Sequence, residues 1–311
     1  MFTAHFDFPS GKERYSPAVL WMPSETASPC AVLQITHGMT EHIGRYASLA
    51  EHLTAHNIAV AGFDLRGHGQ RAENAVCASF GVDGWEASLQ EMRSFSDALA
   101  GKFPNLPRFL LGFSLGSFLV REYLNRFPDD PLSGALIAGT GHQPGAVLSV
   151  MAAIVKTQVK KAGSDNTTPL VEKLSFETYN KKFAPNRTPS DWLCSDESQL
   201  DAYRADPFCR PAISSGLFLQ LLESMKRTGN PEIYANVRRD LPVLLLSGED
   251  DPVGDSGKGV HRVEAMMKNA GMTNVTLHLF PGARHDIFHE ESGRQAFQVR
   301  DVLTTWILNH C

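Results

Sequence analysis

One serine in this 311-residue chain lies in a pattern that can expose a nucleophile. Ser114 is the middle residue of Gly112-Phe113-Ser114-Leu115-Gly116, between the apolar run Arg108–Phe113 and a helix-like segment Leu115–Phe127. In a G-x-S-x-G turn between a strand and a helix, the small residues let the backbones pass closely, and the turn lifts the serine hydroxyl clear of the sheet. We therefore predict Ser114 as the nucleophile. A glycine-flanked surface turn is the alternative that this pattern alone leaves open.

A serine hydroxyl becomes a strong nucleophile when an imidazole, oriented by a carboxylate, removes its proton. His285 follows the strand-like run Val275–Phe280, just past the predicted edge of the sheet. The run Val243–Leu246 leads into an acidic turn, Glu249-Asp250-Asp251, in which spacing alone does not decide which carboxylate serves. The order serine, acid, histidine along the chain is the one found in hydrolases built on a parallel sheet. We predict His285 as the general base.

Two backbone amides are also predicted to take part, because a tetrahedral oxyanion needs preorganised donors. By analogy with such hydrolases, these are the amides of Met39, in the loop after the strand-like run Ala31–Thr36, and of Leu115, directly after Ser114. Loss of one such donor typically costs about 2.7 to 4 kcal/mol of transition-state stabilisation. An ordinary glycine turn is the alternative for the first loop.

Two further motifs lie near these residues. In Asp64-Leu65-Arg66-Gly67-His68-Gly69 we expect Arg66 to pair with Glu41 and brace the site. His285 and His289 are spaced as in the H-E-x-x-H zinc helix, but aspartate replaces the glutamate and a preceding Pro-Gly predicts a loop. We therefore predict neither a metal nor a cofactor for the reaction.

Strand-like runs alternate with amphipathic helix-like runs over most of the chain, which predicts an α/β fold with a mostly parallel sheet covered on both faces. The predicted strands are 2–8, 16–22, 31–36, 58–63, 108–113, 132–138, 242–246 and 275–280, and the predicted helices among them are 45–56, 85–102, 115–127, 260–270 and 295–309.

Between residues 141 and 240 the alternation stops, and the pattern is typical of several helices with turn-rich breaks. We predict a helical cap of residues 141–240, inserted after the sixth strand of a core formed by residues 1–140 and 241–311. Ligands of open α/β sheets bind beyond the carboxyl ends of the strands, where such a cap would lie. Its apolar stretch 146–155 is too short to span a bilayer. That stretch is interpreted as an acyl-pocket lining, a membrane contact or ordinary packing.

Composition excludes some partners. The formal net charge is -5, the pI is near 6.2, and no basic stripe is present, so we expect no nucleic-acid partner. Five scattered cysteines without a C-x-x-C pair favour reduced thiols over a disulfide framework. Residues 1–10 lack the basic start and apolar core of a signal peptide. We therefore expect a cytoplasmic protein.

Taken together, several motifs resemble those of the α/β-hydrolase superfamily. They are His37-Gly38-Met39-Thr40-Glu41-His42, Arg66-Gly67-His68-Gly69, Gly112-Phe113-Ser114-Leu115-Gly116, Asp250-Asp251-Pro252-Val253-Gly254 and Gly282-Ala283-Arg284-His285. Within this superfamily, the chain resembles the monoacylglycerol lipase and lysophospholipase branch, which is grouped with serine aminopeptidases. Segments 175–180 and 191–196 resemble the bacterial members. Many relatives carry a serine where this chain has Gln70.

This resemblance implies an α/β-hydrolase fold with an eight-stranded sheet, a triad of Ser114, Asp251 and His285, and an oxyanion hole of Met39 and Leu115. It implies hydrolysis of carboxylic esters with a single acyl chain, such as monoacylglycerols or lysophospholipids, through an acyl-enzyme. The alternative is an aminopeptidase-like amide hydrolase, in which cap acids would hold the ammonium of the substrate. Those acids are Glu172, Glu177, Asp196 and Glu197. A catalytically silent fold reused for binding is disfavoured by the complete triad.

Overall fold

The computed structural model describes residues 1–11, 14–72, 77–209, 212–290 and 295–311. Its centre is an eight-stranded sheet with the order β1-β2-β4-β3-β5-β6-β7-β8. The strands are β1 (Phe2–Gly11), β2 (Arg14–Met22), β3 (Ala31–Thr36), β4 (Ile58–Gly62), β5 (Arg108–Phe113), β6 (Gly134–Ala138), β7 (Val243–Gly248) and β8 (Val275–Phe280).

Helices join the strands and cover the sheet. They are α1 (Ala47–Ala55), α2 (Gly84–Lys102), α3 (Leu115–Arg126), α4 (Gly145–Ala162), α5 (Pro169–Glu172), α6 (Thr178–Asn180), α7 (Glu197–Ala205), α8 (Ser215–Thr228), α9 (Lys258–Asn269) and α10 (Gln295–Leu308). None of the described helices is long and apolar enough to cross a membrane.

Strand direction brings the chemistry-bearing loops to one edge of the sheet. β2 is antiparallel to both of its neighbours, and every other pairing is parallel. The carboxyl ends of β3, β5, β7 and β8 therefore lie on the same side, and the segments that follow them contain Met39, Ser114, Asp251 and His285.

The central strands are buried along their whole length because helices cover both faces. One buried cluster joins the sheet to α2, α3 and α9 through residues such as Met92, Leu119 and Val263. The other joins it to α1 and α10 through residues such as Leu53 and Leu303. The predicted eight-stranded, mostly parallel sheet with flanking helices is confirmed.

Element boundaries differ from the predictions by a few residues. The helix predicted from residue 45 begins as a 3₁₀ turn, Ile43–Tyr46, before α1, and β6 begins two residues later than predicted. Between β6 and β7 lie α4 to α8, and α8 packs on both α4 and α3. Residues 210 and 211 of the predicted cap lie outside the described residues. The division at residues 140 and 240 into core and cap stays a prediction.

Candidate active site

Ser114 lies at a tight turn between β5 and α3, with a φ of 51° and a ψ of -115°. A Cβ on Gly112 would lie 2.3 Å from the carbonyl oxygen of Gly116, and a Cβ on Gly116 would lie 2.1 Å from that of Thr36. Neither approach leaves room for a methyl group, so both positions require glycine. The backbone amide of Ser114 donates to the carbonyl of Ala138 on β6 at 2.9 Å, which fixes the turn to the sheet.

The three predicted triad side chains lie within hydrogen-bond distance of one another. His285 Nε2 is 2.9 Å from Ser114 Oγ, and His285 Nδ1 is 2.9 Å from Asp251 Oδ2. An ionised carboxylate only accepts, so Nδ1 carries the proton that it donates to Asp251, and Nε2 is left to accept from the serine. Asp251 and His285 are buried, which shields this contact from water.

Of the three acids in the turn after β7, Asp251 contacts the histidine. Its other carboxylate oxygen accepts from the amide of Val253 at 2.8 Å, which holds the side chain in place. Asp250 turns outward and pairs with Lys182 at 2.9 Å, and Glu249 is exposed. This geometry agrees with the assignment that the family resemblance implied, while the catalytic roles themselves stay predictions.

His289 faces a different set of partners from His285. Its Nδ1 lies 2.8 Å from Asp286 Oδ1, and its Nε2 lies 3.1 Å from the backbone carbonyl of Arg45. Residues 285–289 form turns rather than a helix. The two imidazoles therefore do not share one helix face as the zinc motif requires.

Two aromatic side chains contact the His285 ring. Phe113, next to the nucleophile, and Trp192, from the segment between β6 and β7, each have a ring centroid 5.0 Å from that of the imidazole. Trp192 is itself stacked on Phe176 at 5.7 Å. Sequence reasoning missed the contact between Trp192 and His285, because Trp192 was noted there only as part of a segment resembling bacterial relatives.

Met39 and Leu115, the predicted oxyanion donors, line a cavity together with Ser114. Leu115 is the first residue of α3, and amides in the first turn of a helix have no acceptor within that helix. Met39 follows Gly38 in the loop after β3 and lines the cavities around Ser114. Their role as an oxyanion hole stays a prediction.

The expected pairing of Arg66 with Glu41 is wrong. Arg66 pairs with Glu91 on α2 at 3.1 Å, a carboxylate that it shares with Arg71. Glu41 turns back toward its own loop, where its carboxylate accepts from the Gly38 amide at 2.5 Å. Arg45, one helical turn further on, occupies its other oxygen at 2.5 Å. The short loop thus satisfies Glu41 locally, and Arg66 lies beside α2 instead.

Arg45 joins the loop after β3 to the loop that contains the histidine. It donates to Glu41 through Nη1 and to Asp286 through Nη2, the latter at 2.8 Å. Burial alone would raise the pKa of Asp286, but the neighbouring His289 and Arg45 outweigh it and hold that pKa below its usual range. Although burial opposes its charge, the two carboxylates raise the pKa of Arg45 well above its ordinary value. Sequence reasoning missed this connection.

Two cavities meet at Ser114. The larger, of about 620 Å³, is lined by apolar side chains such as Phe113 and Leu193 and also carries polar ones, which are Glu172, Glu177, Asn180, Asn186 and Ser190 among others. The smaller, of about 280 Å³, is mostly apolar and is lined by residues such as Leu148, Met151, Phe218, Leu221, Leu222 and Met225. Met39, Phe176 and Trp192 line both.

Residues 27–292 match the model of the family described as serine aminopeptidase, S33. The chain belongs to this family. Among the similar proteins, the monoacylglycerol lipase of Mycolicibacterium smegmatis is 28% identical, over 94% of this chain and 92% of its own length. The monoglyceride lipase of Mus musculus is 27% identical, over 92% of this chain and 84% of its own length.

Solved structures agree with this assignment to the S33 family. A thermostable carboxyl esterase from Bacillus coagulans superposes with a TM-score of 0.88 at 23% identity, covering 99% of both chains. A structure described as an open form of a lipase has a TM-score of 0.86 at 26% identity, again covering 99% of both chains. The predicted α/β-hydrolase fold and serine hydrolase class of this S33 protein are therefore confirmed.

Proposed function

We propose that the protein hydrolyses the ester bond of monoacylglycerols or of similar esters with a single acyl chain. The observation that carries this proposal is the position of Ser114 where two cavities meet, a smaller one lined mainly by apolar side chains and a larger one that also carries hydrogen-bonding side chains. A single-chain lipid ester has one polar and one apolar end, with the scissile carbonyl between them. The relatives named as monoacylglycerol and monoglyceride lipases, which cover more than nine tenths of the chain, support the same substrate class.

In the proposed reaction, Ser114 Oγ attacks the ester carbonyl carbon while His285 Nε2 takes the serine proton. Asp251 keeps the imidazole in the required tautomer and stabilises the imidazolium that forms. The amides of Met39 and Leu115 donate to the oxyanion of the tetrahedral intermediate. The C–O bond to the alcohol then breaks, and the alcohol leaves with the proton held by His285. Water attacks the acyl-enzyme by the same route, which releases the carboxylic acid and restores Ser114.

The proposed acyl site is the apolar cavity, because burying methylene groups against its side chains removes apolar surface from water. Leu148 and Met151 contribute one wall from α4, and Phe218, Leu221 and Leu222 contribute another from α8. The leaving alcohol would occupy the larger cavity, where Asn180, Asn186 and Ser190 offer hydrogen-bonding groups for glycerol hydroxyls.

The dependence of kcat/KM on acyl-chain length tests this assignment of the acyl site. We expect Met151→Trp to fill part of the apolar cavity and to lower kcat/KM for long-chain monoacylglycerols while hydrolysis of acetyl and butyryl esters is retained. The matched control is Ser149→Trp, at an exposed position on α4 whose side chain lines neither cavity. An unchanged preference in Met151→Trp would place the acyl chain elsewhere.

Amide hydrolysis at an amino terminus is the second candidate. The observation that favours it is the pair of carboxylates, Glu172 and Glu177, in the wall of the larger cavity beside Ser114, where they would attract a substrate ammonium. We expect wild-type protein to hydrolyse acyl esters faster than aminoacyl amides. Rapid cleavage of aminoacyl amides, lost in Glu172→Gln or Glu177→Gln with ester hydrolysis intact, would favour the peptidase.

Contact with a lipid surface is part of the proposal. Val147, Val150 and Ile154 are exposed along one side of α4, and Val147 also lines the apolar cavity. Lys160 and Lys161 follow on the same helix and would favour anionic lipid. We expect co-sedimentation with vesicles of anionic phospholipid, weakened in Val150→Asp but not in Val82→Asp, a still more exposed valine on a different segment.

A cytoplasmic location is the remaining part of the proposal. All five cysteines are free in the structure, which suits a reducing compartment. Fractionation of the producing cells tests it, with activity in the cytosolic fraction as the expected result.

A further inference from the structure

A histidine, an aspartate and a cysteine converge away from the reacting serine. One potential donor atom each from His42, Asp206 and Cys209 lies within 4.8 Å of the other two. His42 follows the loop after β3, while Asp206 and Cys209 follow α7, so the cluster joins segments more than 160 positions apart. None of the three contributes to the proposed reaction.

We propose that these three side chains form a binding site for Zn²⁺ or a similar thiophilic divalent cation. Imidazole nitrogen, thiolate sulfur and carboxylate oxygen are the ligands that zinc takes in proteins. In a tetrahedral zinc site, bond lengths of about 2.0 to 2.3 Å place neighbouring donors roughly 3.3 to 3.8 Å apart. His42 Nε2 and Asp206 Oδ2 are already 2.9 Å apart, so small side-chain adjustments suffice. Three protein ligands leave the fourth position to water.

The local charge favours a cation. Among the residues that the structure describes, the charged groups near the Cys209 thiol include Arg45, Glu41, Asp206 and Asp286, three carboxylates and one guanidinium. Arg45 pairs with the carboxylates of Glu41 and Asp286, which offset its positive charge. The carboxylate of Asp206 therefore adds a further negative charge near the thiol.

An entry route lies beside the cluster. A cavity of about 350 Å³ is lined by Asp206 together with Arg45, Gln199, Tyr203 and His289. The carboxylate of Asp206 is partly exposed, whereas Cys209 is buried. Asp206 is therefore the member of the cluster that an ion in this cavity would meet.

Binding must release a proton. A cysteine thiol has an ordinary pKa of about 8.5, so near neutral pH the sulfur is mostly protonated before a metal ion binds. Formation of the S–Zn bond breaks the S–H bond, the electron pair stays on sulfur, and the proton passes to the buffer. Zinc stays divalent throughout, so no oxidant or reductant is needed.

An ion at this site would tie the segment after α7 to the loop that contains Met39. Two contacts already make this connection, His42 with Asp206 and the hydroxyl of Tyr203 with Thr40 Oγ1 at 2.8 Å. A ligand that binds only the folded state raises the thermal midpoint by mass action. We therefore expect Zn²⁺ to stabilise the protein.

Co²⁺ is the spectroscopic probe for the full chain. We expect one equivalent to give a thiolate-to-cobalt charge-transfer band in the wild type and in Cys30→Ser, a control that removes a half-buried thiol elsewhere. The band should be absent in Cys209→Ser. A wild type without the band, or a band that persists in Cys209→Ser, would overturn the proposal.

Zn²⁺ affinity, measured by competition with a chromophoric chelator, covers the case in which Cys209→Ser fails to fold. His42→Asn and Asp206→Asn change partly exposed side chains, and we expect each to weaken Zn²⁺ binding by about tenfold or more. In unbuffered solution, wild-type protein should release at least one proton per bound ion. Affinities equal to that of the wild type in both variants, or binding without proton release, would contradict the site.

Discussion

Arg45 Nη2 donates to Asp286 Oδ2 at 2.8 Å, which ties the start of the first helix to the residue after His285. The same guanidinium holds Glu41, whose carboxylate accepts from the amide of Gly38, next to Met39. One side chain therefore sets the distance between the loop of the predicted oxyanion donor and the loop of the predicted base.

Arg45→Met tests this connection. This substitution leaves the buried carboxylates of Glu41 and Asp286 without the positive charge of Arg45. Because breaking a buried charge pair is strongly destabilising, we expect the free energy of unfolding to fall by about 3 to 5 kcal/mol. We also expect kcat to fall more than KM rises, because the two loops would no longer be held together. Arg126→Met, at an exposed pair with Glu86, is the control and should cost about 1 kcal/mol or less. Urea unfolding and steady-state kinetics supply both readouts, and equal losses in the two variants would refute the connection.

Gly116→Ala tests the backbone requirement at the nucleophile turn. The new Cβ would lie 2.1 Å from the carbonyl oxygen of Thr36, so either β3 or the turn must move. We expect strong destabilisation and loss of Ser114 reactivity. Gly101→Ala, on α2, has no atom within 4 Å of the added Cβ and should be neutral or stabilising by up to about 1 kcal/mol. Thermal unfolding distinguishes them, and a Gly116→Ala protein as stable as the wild type would show that the turn tolerates a methyl group.

His37 predicts a pH dependence of stability. Its Nε2 accepts from the amide of Leu65 at 2.9 Å, so the neutral ring carries its proton on Nδ1 and donates it to the Gly38 carbonyl at 2.7 Å. Burial lowers the pKa of His37 below its ordinary value of 6.5. The unfolded chain therefore binds a proton below about pH 6.5 that the folded protein does not, and stability falls as the pH drops below that value.

The contribution of His37 to this loss is at most about 1.4 kcal/mol per pH unit. We expect His37→Gln, measured by urea unfolding between pH 7.5 and 5.5, to show a shallower decline than the wild type. His278→Gln, at an exposed position on β8, should keep the wild-type slope. Parallel curves for the wild type and His37→Gln would rule out a buried neutral imidazole at this position.

Trp192 predicts a role for the segment between β6 and β7 in positioning the base. Its ring centroid lies 5.0 Å from that of His285, so Trp192→Ala would remove a packing contact and allow the imidazole to adopt other rotamers. We expect kcat to fall by about tenfold or more, since small displacements of catalytic groups are costly. Trp192→Phe retains an aromatic face and should keep most of the activity. If both variants matched the wild type in kcat, the contact would have no part in the reaction.

Much of this arrangement was predictable because it follows local rules. The Ser114 turn has a fixed spacing between a strand and a helix, and the alternation of elements determined the sheet around it. The choice of Asp251 over Asp250 and Glu249 did not follow from spacing, because it depends on which side chain of a tight turn faces the sheet edge. Family resemblance supplied that choice.

Contacts between distant segments were the ones missed. The pairing of Arg66 with Glu41 was wrong because both side chains had nearer partners, Glu91 and Arg45, that become visible only in three dimensions. The contact of Trp192 with His285 spans two regions whose relative position no periodicity encodes. The link from Arg45 to Asp286 likewise joins residues 241 positions apart.

Reaction of Ser114 with a fluorophosphonate probe tests the central claim most directly. We predict that the wild type labels with one probe per chain and hydrolyses monoacylglycerol. We further predict that Ser114→Ala does not label and loses at least about 10³-fold in kcat, and that His285→Gln labels far more slowly. Labelling and hydrolysis that persist in a folded Ser114→Ala protein would contradict the account.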